Sequence, residues 1–557
     1  MSIISEHGYR QDGRKPHQIR NLNYKLGVYS QADGSAYLEQ GNTKILCAVY
    51  GPYEPKQRSR LLEDRCIINC QYSMATFSTN ERKERPRGDR RSLEFARLME
   101  KAFEAAILTE NYPRSQIDVF CELLQADGSH LAACVNVGTL ALADAGVPMR
   151  GLIAAASCAC TPDGLACVDV NSREEMGIIP RLTVATISGQ DAIVLAELQN
   201  RLHKNHLILI LEAARKATAH VHSCLEAAVL THIKAAIGLS STTDNDMEQV
   251  MTIIIVIHKM ESGPPVFRAT AVPEIFPTPK FPPKVMMLEI AGPSSFKELE
   301  VIVTEKRVPE NKLIVPGAKV TSNPDFMRGH GTYMHDDNLI ASVGGTVEQV
   351  NKLVSVRPLK SRYNGEIGDV VIGRITEVQQ KRWKVETNSR LNSTLLLSSV
   401  NLPGGELRRK SVEDERMMRE YLKEGDLISL SQGTLIKISP YLVKRRKSHF
   451  HTLPCGVSVI FGRNGYIWIA PVASEEQNMT GGYSQNLEEV VPLKIRSVIA
   501  RVANCVNILA MYHIPLYDTT VVLAYDASLN SEIKELLKPE SAANIATEVV
   551  LQLEKNC

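Results

Sequence analysis

The chain has 557 residues, of which 44% are hydrophobic and 23% are charged, and this mixture excludes a wholly disordered or fibrous protein. Its length indicates several domains. The 64 basic and 62 acidic side chains leave a net charge of +2, so any surface for nucleic acid must be a local patch. The first residues lack the pattern of a signal peptide, and no apolar run is long enough to span a membrane. We therefore expect a soluble, intracellular chain.

The cysteines are typical of a reducing compartment. Nine of the 12 lie between Cys47 and Cys224, several of them inside apolar runs, as buried thiols commonly do. No CxxC pair occurs. His449, His451 and Cys455 could in principle ligate a metal, but we expect neither a structural metal, nor a disulfide, nor a cofactor.

Residues 1–242 alternate short β-type runs with helical ones, which is the pattern of an α/β domain. A strand is predicted at residues 117–124. An apolar helix is predicted at residues 131–145, where the following Gly-Val-Pro sequence would end it. A long helical pattern covers residues 207–233.

The composition changes after residue 242. Eight prolines lie between Pro264 and Pro293, a density incompatible with helix interiors or central strands, so residues 243–312 are predicted to be a linker. The following part is rich in β patterns, with a hairpin predicted within residues 368–387. Further helices are predicted at residues 412–423, 494–511 and 531–554. The chain therefore has two unlike halves.

A basic segment in the first half favours an anionic ligand. Residues 82–91 carry six basic side chains and two acidic ones. Arg90 and Arg91 are predicted to begin a helix that Asp89 caps, where free N–H groups and the helix dipole attract phosphate. A solvated basic loop is the equally weighted alternative.

The junction between the predicted strand and the apolar helix is a second candidate for anion binding. It contains Gly128, Ser129 and His130. Backbone amides at a strand–glycine–hydroxyl–helix junction can surround an anion. Such junctions are common, however, so this signal alone is weak.

Four motifs of the first half resemble the ribonuclease PH family, and in particular its ring subunit of the eukaryotic exosome, the core component 41 type. They are QADGSAYLEQGNT at 31–43, PRSQID at 113–118, LQADG at 124–128 and ADAGVPM at 143–149. The resemblance implies a ribonuclease PH-like α/β domain over residues 1–242. Active members of that family degrade RNA from its 3′ end with inorganic phosphate as the nucleophile.

The resemblance also implies roles for single residues. Arg91 matches a phosphate-site arginine, and Gly128 with Ser129 matches the first two positions of a Gly-Ser-Arg phosphate loop. His130 replaces the arginine of that loop, and an imidazole lacks the guanidinium fork. Arg181 stands where the catalytic aspartate is expected. We therefore expect a degenerate site without catalysis.

One alternative to this reading of the first half remains open. A different alignment would make Glu174 or Glu175 the catalytic acid, and the chain would then be an active phosphorolytic 3′–5′ exoribonuclease.

RNA contact is expected at a channel lip formed by Arg58, Ser59, Arg90 and Arg91, whose cations would screen the RNA backbone without reading bases.

Motifs of the second half closely resemble the exosome cap subunit of the core component 4 type. They are FMRGHGTY at 326–333, GRITEVQQKRWKVET at 373–387 and NLPGGELRR at 401–409. The resemblance implies a multidomain α/β + β chain that continues, after the linker, with three modules. These are a cap N-terminal β domain at 313–364, an S1 RNA-binding barrel of the oligonucleotide-binding type at 365–440, and a KH domain with C-terminal helices at 441–557.

RNA contacts are expected in both of the later modules. In the S1 module the candidates are Lys381, Arg382 and Trp383, although Trp383 could equally be a core residue of its strand. In the KH module the candidate is the GxxG loop Gly462, Arg463, Asn464 and Gly465, a sequence that clamps the nucleic-acid backbone in KH domains but forms an ordinary turn in most proteins. By strand count, roughly 20 residues of the S1 barrel are missing before residue 440, so we expect an incomplete barrel.

The sequence therefore predicts a non-catalytic structural and RNA-binding exosome component. Its expected partners are single-stranded RNA, other ring and cap subunits and a separate catalytic ribonuclease, in the nucleus with the nucleolus and in the cytoplasm. A free RNA-binding adaptor, which would be a stable monomer, is a further alternative. The joined halves reflect either a true fusion or a joined gene model, and a peptide that bridges residues 240–300, detected by mass spectrometry, distinguishes the two.

Overall fold

The computed structural model describes residues 4–237 and 312–556, apart from short segments within them. The segments outside the described residues are 6, 56–60, 80–81, 83–88, 162–163, 176–178, 191, 324, 401–410, 429–432 and 473–490. Residues 238–311, with nearly all of the predicted linker, also lie outside. The two described ranges pack into one compact unit, and no helix within them is long and apolar enough to cross a membrane.

Two sheets form the framework of the first half. The first has the order β1-β2-β3-β5-β4 and contains β1 (Leu22–Leu26), β2 (Gly34–Gln40), β3 (Thr43–Tyr53), β4 (Ile67–Met74) and β5 (Gln116–Gln125). Its neighbours are antiparallel except for β4 and β5, which are parallel. The second sheet is antiparallel in the order β7-β6-β8-β9 and contains β6 (Ile153–Cys160), β7 (Ala166–Val168), β8 (Arg181–Ile187) and β9 (Ile193–Gln199).

Four helices accompany these sheets: α1 (Arg90–Ala106), α2 (His130–Asp144), α3 (Ser172–Glu175) and α4 (Lys204–Ile237). Helix α2 contacts strands of both sheets and is buried along almost its whole length. Because no face of α2 meets water, its sequence is apolar all round, as expected for a central helix. The predicted α/β domain is confirmed, and its predicted strand and two helices lie within four residues of the observed bounds.

Two small sheets begin the second half. The strands β10 (Leu313–Ile314), β12 (Met327–Arg328), β15 (Gly345–Val350) and β16 (Leu353–Pro358) form one sheet, and β11 (Lys319–Thr321), β13 (Thr332–His335) and β14 (Asn338–Ala341) form another. Within the first of these, β12 pairs with β16 in parallel. A three-stranded sheet follows, with β17 (Arg374–Gln379), β18 (Arg382–Glu386) and β19 (Ser393–Leu396).

The C-terminal part combines a sheet with helices. Its four-stranded antiparallel sheet has the order β20-β23-β22-β21, with β20 (Thr434–Lys437), β21 (Phe450–Leu453), β22 (Val457–Phe461) and β23 (Tyr466–Pro471). Two short helices, α5 (Val412–Arg416) and α6 (Met418–Tyr421), precede it, and α7 (Leu493–Met511), α8 (Asp518–Ser528) and α9 (Pro539–Asn556) follow it.

Several element predictions for the second half need correction. The predicted helix at 412–423 is divided at Met417, whose ψ of 5° departs from helical geometry. The predicted helix at 531–554 begins only at Pro539, and α8 was not predicted. Strand β20 pairs with β23, so the module boundary placed at residue 440 lies before Thr434 in the structure.

The two halves contact each other through charges and backbone. Lys360 Nζ lies 2.9 Å from both carboxylate oxygens of Asp144, whose side chain is 1% exposed. Arg362 Nη1 lies 2.8 Å from Asp33 Oδ2. Gly146 has a φ of +68°, and a Cβ there would lie 2.0 Å from the Lys360 carbonyl oxygen. The glycine that ends α2 therefore also permits the approach of the second half.

Candidate phosphate and RNA sites

A small cavity in the first half gathers the residues predicted for phosphate binding and catalysis. Arg91, Ser129, His130 and Arg181 line a space of about 30 Å³, together with Glu175. Arg91 belongs to the first turn of α1, and Ser129 directly precedes α2. Arg181 begins β8. The fold therefore brings together residues that lie far apart in the sequence.

The junction between β5 and α2 has a backbone that requires its glycine. Gly128 has a φ of +79°, and a Cβ there would lie 2.4 Å from the carbonyl oxygen of Val170. Ser129 has a φ of 55°, and its hydroxyl donates to the same carbonyl at 2.8 Å. This backbone conformation points the N–H group of Ser129 into the cavity.

The carboxylate of Glu175 occupies the cavity. Its Oε1 accepts the Ser129 N–H at 3.0 Å and lies 3.2 Å from Arg181 Nη1. The Gly128 N–H is directed at His130 Nε2, 3.3 Å away. An amide and a cation that could hold a phosphate oxygen are thus bound to an anion of the chain itself. The remaining space is suited to water rather than to a phosphate group.

Glu174, the other candidate acid, has a structural role as the partner of a buried guanidinium. Its carboxylate is buried, accepts Arg10 Nε at 2.8 Å and accepts the Asn171 N–H at 3.0 Å. Burial alone would lower the pKa of Arg10, but the Glu174 carboxylate raises it above the ordinary value. Glu174 therefore neutralises a buried guanidinium and does not face the cavity of Arg181.

Half of the predicted channel lip can be located. Arg90 and Arg91 are exposed at the start of α1, and the Arg91 guanidinium lies 5.7 Å from the centre of the Phe95 ring. Asp89 precedes the helix, but its side chain makes no cap hydrogen bond, which corrects the predicted role of Asp89. Arg58 and Ser59 lie outside the described residues.

The β17–β18 hairpin presents two of its three predicted RNA contacts. Lys381 and Arg382 are exposed at the turn, where Lys381 Nζ lies 3.0 Å from Glu415. Trp383 is 0% exposed and packs in a core that includes Ile375. A fully buried ring has no face on which a base could stack. Trp383 is therefore a core residue of its strand, and the prediction that it stacks on RNA is wrong.

The GxxG loop between β22 and β23 faces protein. The Asn464 side chain is buried and donates to the carbonyl oxygens of Ile372 at 2.6 Å and Thr387 at 3.0 Å. Gly465 has a φ of +79°, and a Cβ there would lie 2.3 Å from the Ile438 carbonyl oxygen. The loop of Gly462–Gly465 therefore fixes one module to the next, which corrects its predicted role as a backbone clamp for RNA.

Comparisons with known proteins cover both halves. Family models match at residues 18–148 (3′ exoribonuclease family, domain 1), 313–350 (exosome complex exonuclease RRP4, N-terminal region), 362–430 (RRP4, S1 domain) and 433–474 (KH domain). The exosome component RRP41 of Caenorhabditis briggsae is 60% identical over 235 residues, which are 42% of this chain and 97% of the relative. Exosome complex component RRP4 of Bos taurus is 52% identical over 286 residues, and the match covers 47% of this chain and 97% of the relative.

This chain belongs to the RRP41 and RRP4 families of exosome components. Its N-terminal part is RRP41-like and its C-terminal part is RRP4-like, so two components are joined in one sequence. The RRP41 of Mus musculus, 49% identical over 240 residues, covers 42% of this chain and 96% of its own length. The multidomain fold with ribonuclease PH-like, S1 and KH modules is confirmed.

Two features of the site could not be found from the sequence. Glu175 was considered only as a substitute acid, because nothing in its neighbours along the chain indicates that it reaches the Ser129 amide. The partners Asp144 and Lys360 lie in different halves, and each looks like an ordinary surface charge in the sequence. A resemblance to separate subunits gives no signal for a contact within one chain.

Proposed function

We propose that this chain is a non-catalytic structural and RNA-binding component of the RNA exosome, which threads RNA for 3′–5′ processing and degradation of rRNA, mRNA and other RNAs. In this proposal a separate ribonuclease performs the cleavage. The complex would act in the nucleus, including the nucleolus, and in the cytoplasm. Membership in the RRP41 and RRP4 families supports the exosome role, and the S1 and KH modules support RNA as a ligand.

The ion pair between Glu175 and Arg181 carries the non-catalytic part of the proposal. Phosphorolysis needs an inorganic phosphate held by cations and amides, and an acid that protonates the leaving oxygen. In this cavity the amide of Ser129 and the guanidinium of Arg181 already bind Glu175. Arg181, a cation, stands at the position where the resemblance places the catalytic acid. Both requirements are therefore unmet.

The test is an assay for phosphorolysis with the full chain assembled into its ring. Purified complex is incubated with single-stranded RNA and inorganic phosphate, and nucleoside diphosphates are measured by chromatography. We expect no diphosphates above the level of a reaction without phosphate. Release that depends on phosphate and disappears in an Arg91→Ala variant would establish the active phosphorolytic exoribonuclease instead.

A further inference from the structure

A basic cleft opens in the RRP4-like half where its modules meet. It has a volume of about 390 Å³, and its basic lining residues are Arg357, Arg362, Lys444, Arg445 and Arg463. Among its lining residues only Glu348 is acidic. The cleft thus concentrates positive charge in a chain whose net charge is only +2, which is the local patch that nucleic-acid binding would need.

Carboxylates lie within 4 Å of four of these cations, and three of the pairs are close. The pairs are Arg357 with Glu348 at 3.2 Å, Arg362 with Asp33 at 2.8 Å and Arg445 with Glu366 at 3.1 Å. These partners hold the three guanidiniums in place around the cleft. Their charge is largely neutralised, so they contribute less to the attraction of a ligand.

Lys444 and Arg463 keep side-chain N–H donors that no carboxylate takes up within hydrogen-bond distance in the described residues. Lys444 is exposed and has no carboxylate within 4 Å among the residues that the structure describes; its Nζ lies 6.0 Å from the centre of the Tyr517 ring. Arg463 Nε lies 3.6 Å from the buried carboxylate of Asp369, and its guanidinium donates no hydrogen bond to a described residue. Two cations with free donors therefore face one cleft.

These two cations lie in two separate segments of the sequence. Arg463 is the second residue of the GxxG loop, whose backbone is turned away by the burial of Asn464. Lys444 begins the basic run of residues 444–447. The loop therefore contributes a side chain to the cleft, although its backbone is engaged with the neighbouring module.

The cleft offers contacts for phosphates but little surface for bases. The Tyr441 ring lies 5.1 Å from the Arg357 guanidinium and is stacked on His513 at 5.9 Å. The side chain of Tyr363 is also buried, because the residue is 8% exposed. Cations without an available aromatic face bind the nucleic-acid backbone and carry no sequence information.

We propose that this cleft binds the phosphate backbone of single-stranded RNA without sequence preference. The inference rests on the proposed RNA-binding function, and it adds a contact outside the hairpin and the channel lip. RNA is favoured over an acidic polypeptide because the modules that form the walls match S1 and KH families. The expected ligand is therefore an RNA strand that passes over the junction of the two modules.

The test compares the full chain with a Lys444→Gln/Arg463→Gln variant. Binding of a fluorescent oligouridylate is measured between 0.1 and about 1 M salt. Each phosphate contact on a single strand contributes about −0.7 to the slope of log K against log salt, so we expect the slope to become about 1.4 less steep. At about 0.1 M salt the variant should bind roughly 20-fold more weakly than the parent chain.

A charge-matched control separates the cleft from a general loss of charge. Lys319 and Lys352 are exposed in the RRP4-like half and do not line the cleft. A Lys319→Gln/Lys352→Gln variant loses the same charge, and we expect its salt slope to equal that of the parent. A Lys444→Gln single variant, which removes no ion pair within the described residues, should show about half the effect of the double variant.

Each outcome decides the proposal. Photo-crosslinks from 4-thiouridine RNA to peptides containing Lys444 or Arg463 would support it, together with the reduced slope. An unchanged slope, with crosslinks elsewhere, would overturn it. Binding of polyglutamate that is lost in the double variant, while RNA binding is retained, would assign the cleft to an acidic polypeptide. None of these results depends on phosphorolysis, so the non-catalytic proposal stands or fails separately.

Discussion

Glu175 shows how one side chain can decide the chemistry of a site. Its carboxylate is bound by the Ser129 amide and by Arg181, so two groups that could hold a phosphate are already engaged. Arg91 and Ser129 still line this cavity. In the proposed non-catalytic role, this site therefore differs from an active one by more than a missing acid, because Glu175 binds the groups that would hold phosphate.

Removal of the Glu175 side chain should open the cavity to inorganic phosphate. We expect no phosphate-dependent stabilisation of the parent chain, but a Glu175→Ala variant should gain about 1.4 kcal/mol at a phosphate concentration of 10 Kd. The measurement is the shift of the thermal unfolding midpoint on addition of phosphate. Glu63→Ala, which removes the exposed partner of Arg114, is the control and should show no shift. An equal shift in parent and Glu175→Ala chains would contradict the prediction.

Trp383 and Asn464 illustrate what the sequence of an element can and cannot predict. The alternation of the β17–β18 hairpin correctly indicates a strand at Trp383, but the same pattern fits a buried and an exposed ring. The GxxG sequence correctly predicts a turn between two strands, and the positive φ of Gly465 explains its second glycine. Which surface that turn meets depends on the neighbouring module, and no local signal encodes it.

The same limit applies to whole helices and strands. Helices α2 and α4 were predicted almost to their ends, because α2 is a long apolar run that Gly-Val-Pro ends and α4 is a long helical pattern. Helix α8 has 11 residues and too few turns for a clear period. Strand β20 was assigned to the wrong module, because the identity of its hydrogen-bonding partner is a property of the sheet and not of the strand.

The burial of Trp383 predicts a structural effect of its replacement. A Trp383→Ala variant should lose about 3–5 kcal/mol in the free energy of unfolding of the S1 module, the usual cost of a large cavity. Trp383 Nε1 is buried without a hydrogen-bond partner among the described residues. Trp383→Phe removes that unsatisfied donor and should therefore cost much less.

Urea denaturation of the full chain, followed by circular dichroism, compares the two Trp383 variants. The transition assigned to the S1 module is the one that should move. Equal midpoints for Trp383→Ala and the parent chain, with weakened RNA binding in the variant, would return Trp383 to the role of a stacking contact.

The stability that the contact between the halves contributes should depend on pH. Burial alone would raise the pKa of Asp144, but a hydrogen bond from His232 and the charge of Lys360 lower it below the ordinary value. A group with a lowered folded-state pKa stabilises the folded state above its unfolded pKa, about 3.9 for Asp. That contribution is lost as the pH falls through the folded-state pKa.

The Asp144→Asn variant isolates this contribution. At pH 7 its free energy of unfolding should be about 1–3 kcal/mol lower than that of the parent chain. This range is below the value for a fully buried pair, because the Lys360 side chain is 36% exposed. Chemical denaturation from pH 7 to about pH 2 should show this difference shrinking below about pH 4. A difference that stays constant over this range would remove Asp144 from the acid response.

Gly146 makes the contact sensitive to a single methyl group. A Gly146→Ala variant would place a Cβ 2.0 Å from the Lys360 carbonyl oxygen at a φ of +68°, so the halves must separate or shift. With a specific protease site engineered into residues 243–312, the cleaved parent halves should elute together in gel filtration. The cleaved Gly146→Ala halves should elute apart. A matched Gly425→Ala change, which meets no atom within 4 Å, should leave co-elution intact.

The joined chain has a consequence for the stoichiometry of an assembly. Because the covalent connection keeps Lys360 and Arg362 near Asp144 and Asp33, the binding of the RRP4-like half is an intramolecular event with a high effective concentration. A separate RRP4 subunit would have to compete with this tethered copy for the same surface. Complexes built on this chain should therefore carry one RRP4-like module for every RRP41-like module, whatever the supply of free RRP4.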